Sequence, residues 1–254
     1  MSLLTYTVGP VDTLWPMIFI LLITIILLQF KAVIRHSILK TIIPYFLLAM
    51  MIVLELRTFG NMVIGFYYSE MSGLAYLPLH LCSTSALLVI IYLSTQKELF
   101  LDILIIQGIV GAIVTFIFPS TTAPPTSFEY WRFFFSHTLL YITPVYYIII
   151  ENKRINKRTL VIAFISVHLI AAVAVSLNLT IGTNYMYLSP DNSHNLFAFI
   201  PIHQVFPALA DWPGVILFGE ILTFPVYFSV YYIIKWGQKH LDEGGEYVKI
   251  REQF

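Results

Sequence analysis

Charge is scarce in this sequence. Only 11% of its 254 residues are Asp, Glu, Lys or Arg, whereas a soluble domain needs roughly a quarter to cover its surface. That shortage excludes a water-solvated globule. With 58% hydrophobic residues and a mean hydropathy of +0.82, lipid is the expected solvent. The 14 basic and 14 acidic side chains cancel, so no nucleic-acid partner is expected. Cysteine occurs once, at Cys82, which excludes an intramolecular disulfide and leaves the redox compartment open. No basic stretch precedes the first apolar run and no small-residue cleavage site follows it. Residues 15–30 therefore read as a retained span and not a signal peptide. Lipidation motifs are absent.

What is present is a series of apolar runs near the ~20 residues that cross a ~30 Å hydrocarbon layer. Seven are expected, at approximately 14–33, 41–66, 76–94, 99–118, 134–150, 159–180 and 214–235. The fold class is therefore all-α, a polytopic bundle of about seven transmembrane helices forming one domain over 1–254. The loops are short except for 182–213, which is rich in Asn, Pro, His and Tyr; its apolar part, 196–209, could form a re-entrant piece. The tail from Lys235 reads as a polar, fraying helix end.

Basic residues sit on one side of this arrangement. Lys31, Arg35, Lys40, Lys97, Lys153, Arg154, Lys157, Arg158, Lys235, Lys239, Lys249 and Arg251 share it, against Arg132 alone on the other. The bias predicts an outside N-terminus and a cytoplasmic C-terminus. The remaining basic residue, Arg57, lies within the second span, close to Glu55. Intramembrane charges are costly, and residues two apart on a helix do not face each other. Each of these two is expected to find its partner on another helix, or to line a substrate cavity.

Depth along the spans can be estimated from the helical rise. Pro78 suits a first turn, and with the third span entering near Tyr76, Cys82 lies roughly 8 Å inside; His137 lies roughly 6 Å inside the fifth span. Asn184 and Asp211 belong to the same outer level, where the acyl esters of a phospholipid sit. A thiol and an imidazole at one depth can form a nucleophile–base pair. Equally, a lone cysteine is commonly a small buried hydrophobe, and a lone histidine often bonds a carbonyl. His80, two residues before Cys82, points about 200° away if both are helical; it is expected to face Thr84 or the interface. His168 is deep and without an obvious partner. His194, His203, Asp191 and Asp211 lack metal-ligand spacing, so neither metal nor cofactor is expected. Gln107, beside Gly108 and Gly111, reads as part of a close helix contact. Trp131, Tyr130, Trp212 and Tyr185 read as an interfacial belt.

Five short blocks occur in order. Leu77-Pro78-Leu79-His80-Leu81-Cys82 is similar to the LPLHLC motif of bacterial YwaF-type integral membrane proteins, which are related to the transmembrane protein 164 acyltransferases. Gly108-Ile109-Val110-Gly111-Ala112, Phe134-Phe135-Ser136-His137, Gly182-Thr183-Asn184-Tyr185-Met186-Tyr187-Leu188 and Trp212-Pro213 resemble further blocks of that family. Together they run from about Leu77 to Phe228. The resemblance implies transfer of a fatty acyl group between lipids, with Cys82 and His137 as the catalytic pair. Two departures stand out: Ser83 replaces an Asp common after the motif cysteine, and the Lys-Pro that often follows Leu188 is missing. Glu55 or Asp211 could take the place of that acid.

The expected reaction is therefore attack of the Cys82 thiolate on a lipid ester, with His137 as base and Arg57, Asn184 or His80 near the oxyanion. Tyr187 belongs to the same substrate-binding set as His80, Asn184, Glu55, Arg57 and Asp211. The expected partners are a membrane phospholipid or lysolipid and the bilayer of a cell membrane, with a bacterial cytoplasmic membrane as the setting. The alternatives are a non-enzymatic lipid-binding or transport protein with a polar cavity, in which Glu55 and Arg57 matter most, or a lipid hydrolase.

Overall fold

A computed structural model of the chain describes residues 10–69, 73–74, 76–190, 207–210 and 212–251. Among these, the fold is all helical, without strands. The helices are α1 (Pro10–Gln29), α2 (Lys31–Arg35), α3 (Leu39–Tyr68), α4 (Leu81–Thr95), α5 (Glu98–Ile117), α6 (Phe128–Ile149), α7 (Lys157–Ile181), α8 (Pro207–Ala210) and α9 (Gly214–Arg251), with a 3₁₀ turn at Tyr185–Tyr187. The tail past Lys235, expected to fray, continues α9 as helix to Arg251.

Five of these helices, α1, α3, α5, α7 and α9, are long and apolar enough to cross a membrane. The other two expected spans differ from them for separate reasons. α4 has only 15 residues, because the segment before it is not helical. α6 has 22 residues but carries Glu129, Arg132, His137 and several tyrosines, which dilute its hydropathy. The surface supports a lipid setting. Leu21, Val53, Leu56, Val63, Leu169 and Leu217 are all more than half exposed on long helices, and such rows of apolar side chains do not face water in a soluble monomer.

α5 is the axis. Its apolar window is 78% buried, against 11–22% for the other four candidate spans. It packs against α1, α4, α6, α7 and α9. Small residues allow this crowding. A Cβ built on Gly108 would lie 2.9 Å from the Leu140 carbonyl oxygen of α6 and 2.8 Å from Leu104 Cδ1, so α6 seats its backbone directly on α5 there. Gln107 is fully buried beside it and donates to Ser85 of α4 at 3.2 Å, while Ser166 of α7 donates to its carbonyl at 3.5 Å. The expected packing contact is thus also a polar tie among three helices.

The helix ends are locally encoded. Ser127 caps α6 by accepting from the Tyr130 amide. Asn156 and Thr159 form a capping box at α7, and Gly182 ends that helix at φ +70°, where glycine is unstrained. At one end of the bundle the basic residues tie helices together. Arg35 donates to the last carbonyls of α6, at Ile150 (2.6 Å) and Ile149 (2.7 Å). Lys40 pairs with Glu151 at 3.1 Å, and Lys153 with Glu98 and with Asp102 (3.1 Å). Lys235 reaches the Ile155 carbonyl at 3.0 Å.

The α5–α6 contact generates a prediction. Gly108→Ala forces its methyl against a backbone oxygen that cannot move cheaply, and is expected to cost about 1–3 kcal/mol. Thermal unfolding of the purified protein in detergent should show a lowered midpoint; an unchanged midpoint would contradict the close approach.

Candidate active site

The first surprise is local. α4 does not start at Pro78. Leu77 to His80 are non-helical, with a tight turn in which the Leu79 amide bonds the Leu77 carbonyl at 2.8 Å, and His80 is an extended N-cap (φ −69°, ψ 146°), so the helix begins at Leu81. Cys82 is therefore the second residue of α4. Its thiol sits beside the first-turn amides, which lack intrahelical acceptors and, with the helix dipole, favour an anion.

Two features hold this start in place. Thr84 turns its hydroxyl back to the carbonyls of Pro78 (3.0 Å) and His80 (3.1 Å). Tyr185, only 2% exposed, accepts from the Leu77 amide at 2.9 Å and donates to the Leu74 carbonyl. Tyr185 is in turn gripped by Asn178 near the end of α7. The Asn178 carboxamide accepts from the Tyr185 amide (2.7 Å) and from Thr183 (2.9 Å), and donates to the Tyr185 carbonyl (2.9 Å). The belt expected from Tyr185 and Tyr130 is thus corrected for both. Each is 2% exposed, and Tyr130 accepts from Trp15 at 2.8 Å and donates to the Asp12 carbonyl at 3.0 Å. A polar ring end with internal partners is worth more to the fold buried than at an interface.

The sulfur points at α5. It lies 3.4 Å from the Thr115 hydroxyl and donates to the Gly111 carbonyl at 3.9 Å. A Cβ on Gly111 would lie 3.6 Å from it, in ordinary contact, so the sulfur packs directly over this part of α5. His137 of α6 is buried, and its Nδ1 lies 2.6 Å from the Phe133 carbonyl. A carbonyl only accepts, so Nδ1 carries the proton and Nε2 keeps its lone pair. Cys82 and His137 are close enough to act on each other electrostatically, while the hydrogen bonds of the sulfur go to α5. The depth expected for His137 differs: α6 starts at Phe128, six residues before the apolar run, so His137 lies about 14 Å along its helix.

Of the remaining expected residues, Glu55 joins the pair. It is 8% exposed and acts electrostatically on His137. Arg57 points elsewhere and forms an ion pair with Glu129 of α6, which also holds Arg132 at 3.1 Å. The helical argument placing His80 opposite Cys82 does not apply to an extended residue. His80 nonetheless faces away, accepting from the Met186 amide at 3.3 Å with its ring between Tyr185 and Tyr187, each 5.5 Å away. Asn184 accepts from the Ser189 amide at 3.2 Å and so shapes the turn after α7. Tyr187 stacks on His80 at φ +59°. Asp211, like His194, His203 and Asp191, lies outside the described residues. His168, unpartnered in sequence, meets Glu220 of α9 at 2.6 Å. No cluster of metal-ligating side chains occurs among the described residues.

Two residues escaped the sequence reading. Thr115 touches the sulfur, and Asn178 anchors Tyr185. An Asn near the end of an apolar run is a sequence signal that could have flagged Asn178; Thr115 carries none, because only packing brings it to the thiol.

Together these features define a class: a helical membrane protein with a thiol and an imidazole enclosed by the bundle beside a glycine-lined central helix. The chain belongs to the TMEM164 family, whose sequence profile matches residues 7–231. It is also similar to a protein of Treponema pallidum (strain Nichols), described as uncharacterized, at 28% identity over 130 residues. That match covers 51% of this chain and 54% of the relative, so the similarity spans about half of each. No solved structure matches.

The Asn178 anchor generates a prediction. Asn178→Ala leaves the buried Tyr185 amide without a partner, at about 1–3 kcal/mol, while the Tyr185 carbonyl keeps only the Leu188 amide at 3.1 Å. The variant should melt earlier, and Cys82 should react faster with a small maleimide as the chain before α4 loosens. Unchanged thiol reactivity would show that α4 keeps its start without the anchor.

Proposed function

We propose that this protein is a membrane acyltransferase that moves a fatty acyl chain between lipids through a thioester on Cys82. The observation that carries the reading is the Cys82 thiol in the first turn of α4, set against Thr115, with a buried His137 held through Nδ1 by the Phe133 carbonyl, in a family related by sequence to lipid acyltransferases. The protonated Nδ1 of His137 leaves Nε2 as the base. Nε2 takes the thiol proton, the thiolate adds to the ester carbonyl carbon, and the tetrahedral adduct expels the lysolipid oxygen, which takes the proton back from Nε2. An acceptor hydroxyl then reverses the sequence and frees the thiolate. Glu55 favours the imidazolium formed between these steps. Thr115 can donate to the thiolate once the proton has left.

Enclosure by hydrocarbon favours transfer over hydrolysis, because water is kept from the thioester. The lipid-carrier alternative leans on a free charge from Arg57, and the pairing of Arg57 with Glu129 argues against that. We read the bundle as seven spans, with α4 and α6 crossing together with their extended or polar ends. The N-terminus is outside and the site faces the outer leaflet of a bacterial cytoplasmic membrane. The gathering of Arg35, Lys40, Lys153 and Lys235 at one end supports that orientation.

Two measurements test this reading. Purified protein in nanodiscs receives a phospholipid with a labelled acyl chain and a lysophospholipid acceptor. Label should move to the acceptor, and Cys82→Ser and His137→Ala should each lower the rate by roughly 10²–10⁴-fold. Full transfer by both variants would sink the mechanism, and label released as free fatty acid would convert it to a hydrolase. Separately, a C-terminal phosphatase reporter should be inactive and a C-terminal fluorescent reporter bright; the opposite pattern would invert the topology.

A further inference from the structure

The end of the bundle away from Cys82 encloses a second polar space. A cavity of about 740 Å³ lies between α3, α4, α5 and α6, within the size range of small-molecule sites. Its inner wall is apolar and aromatic. Leu48, Leu93 and Leu101 line it, with Tyr92 and Tyr147 meeting edge-on at 4.8 Å and 78°. Tyr45, 68% exposed, stands at the mouth. The charged lining is Glu98, Glu151 and Lys153. Lys153 is engaged by Glu98 and by Asp102 at 3.1 Å. Glu98 and Glu151 each meet a lysine through Oε2 alone, so Oε1 of each has no partner among the described residues. The surrounding turns are fixed. Gln96, on the rim, holds left-handed backbone at φ +55°, uncommon for a non-glycine residue. Its amide bonds the Tyr92 carbonyl at 2.7 Å and its side chain the Leu93 carbonyl at 3.0 Å. Tyr146 ties α6 to α3 by donating to the Lys40 carbonyl at 2.8 Å.

We propose that this cavity binds an ammonium group, carried by an aminophospholipid headgroup or by a free small amine. Two carboxylates line it against one lysine that is already paired. An incoming cation therefore meets surplus negative charge and two unpartnered carboxylate oxygens, whereas an anionic headgroup meets repulsion. A primary ammonium carries three donors for those oxygens. The Tyr45 ring at the mouth offers the cation a π face, and Leu48, Leu93 and Leu101 accept hydrocarbon attached to it. The cavity is separate from the site at Cys82. Tyr92 lies ten residues past Cys82 on α4, and Tyr147 ten past His137 on α6, about 15 Å in each case. A ligand held here does not touch the thiol, so its binding is independent of the acyl-transfer reading.

Native mass spectrometry of the full-length protein, released from detergent micelles, tests this. The protein is loaded with phosphatidylethanolamine, or with phosphatidylglycerol of the same acyl chains, whose headgroup has no nitrogen. Two variants change the cavity in different ways. Glu98→Gln combined with Glu151→Gln removes the negative charge. Thr41→Trp, at an exposed lining position, fills the space and leaves every ion pair in place. Each should lower phosphatidylethanolamine binding roughly tenfold and leave phosphatidylglycerol binding unchanged. If the double variant does not fold, Thr41→Trp carries the test alone. A free amine as the ligand gives a different pattern: wild-type protein retains no phosphatidylethanolamine, yet melts higher with added ethanolamine, and the variants do not. Phosphatidylethanolamine held equally by wild type and variants, with no such ethanolamine effect, would overturn the proposal. So would phosphatidylglycerol binding that falls as far as phosphatidylethanolamine binding does. Full transfer by Cys82→Ser would instead sink the thioester reading and leave this binding in place, so the two failures are distinguishable.

Discussion

One tyrosine hydroxyl engages two backbone groups of the chain before α4. Tyr185 takes the Leu77 amide and gives its proton to the Leu74 carbonyl, and these bonds hold the chain before α4 in a non-helical course. If that stretch were helical, Cys82 would lie mid-helix, its amide consumed by the backbone ladder. With the stretch non-helical, Cys82 stands in the first turn, where amides lack helical acceptors and aligned dipoles favour negative charge. Asn178 makes the clamp rigid by bonding both the amide and the carbonyl of Tyr185. The chemistry proposed for Cys82 thus depends on a contact more than a hundred residues away in the chain.

The central helix completes the arrangement by what it omits. Gly108 lets α6 rest its backbone on α5, which sets the register of His137. Gly111, one turn further on, faces the sulfur at ordinary contact distance. A side chain at Gly108 would push α6, which carries the imidazole, off the central helix. α5 is consequently the most enclosed of the apolar helices, and the polar groups along it, Asp102, Gln107 and Thr115, each bond a neighbour. A membrane interior gives unpaired polar groups no water to turn to, so this consistency follows from the solvent as much as from the fold.

Legibility varied with the range of the interaction. The apolar runs marked α3, α5 and α7 to within two residues at each end, because hydrocarbon thickness imposes a length on each, whereas α9 runs on well past its apolar part to Arg251. Ends set by caps were less visible: α6 begins six residues before its apolar run, since Ser127 caps a polar first turn. His80 was placed on a helix that starts after it. The partner of Arg57 lies on another helix, as expected, but which helix was not readable, because nothing in a helical period names its neighbour.

The sequence by itself determined that the chain is helical, lipid-solvated and biased in charge toward one end, and that Cys82 and His137 sit in ordered motif blocks. These follow from composition, run length and local pattern, which are additive along the chain. Only the tertiary structure decided that Cys82 lies in the first turn of a helix, that Thr115 touches its sulfur and that Arg57 pairs with Glu129. Those depend on contacts between segments distant in sequence. They follow from crossing geometry and from the close approach at Gly108, which no local property of the chain encodes.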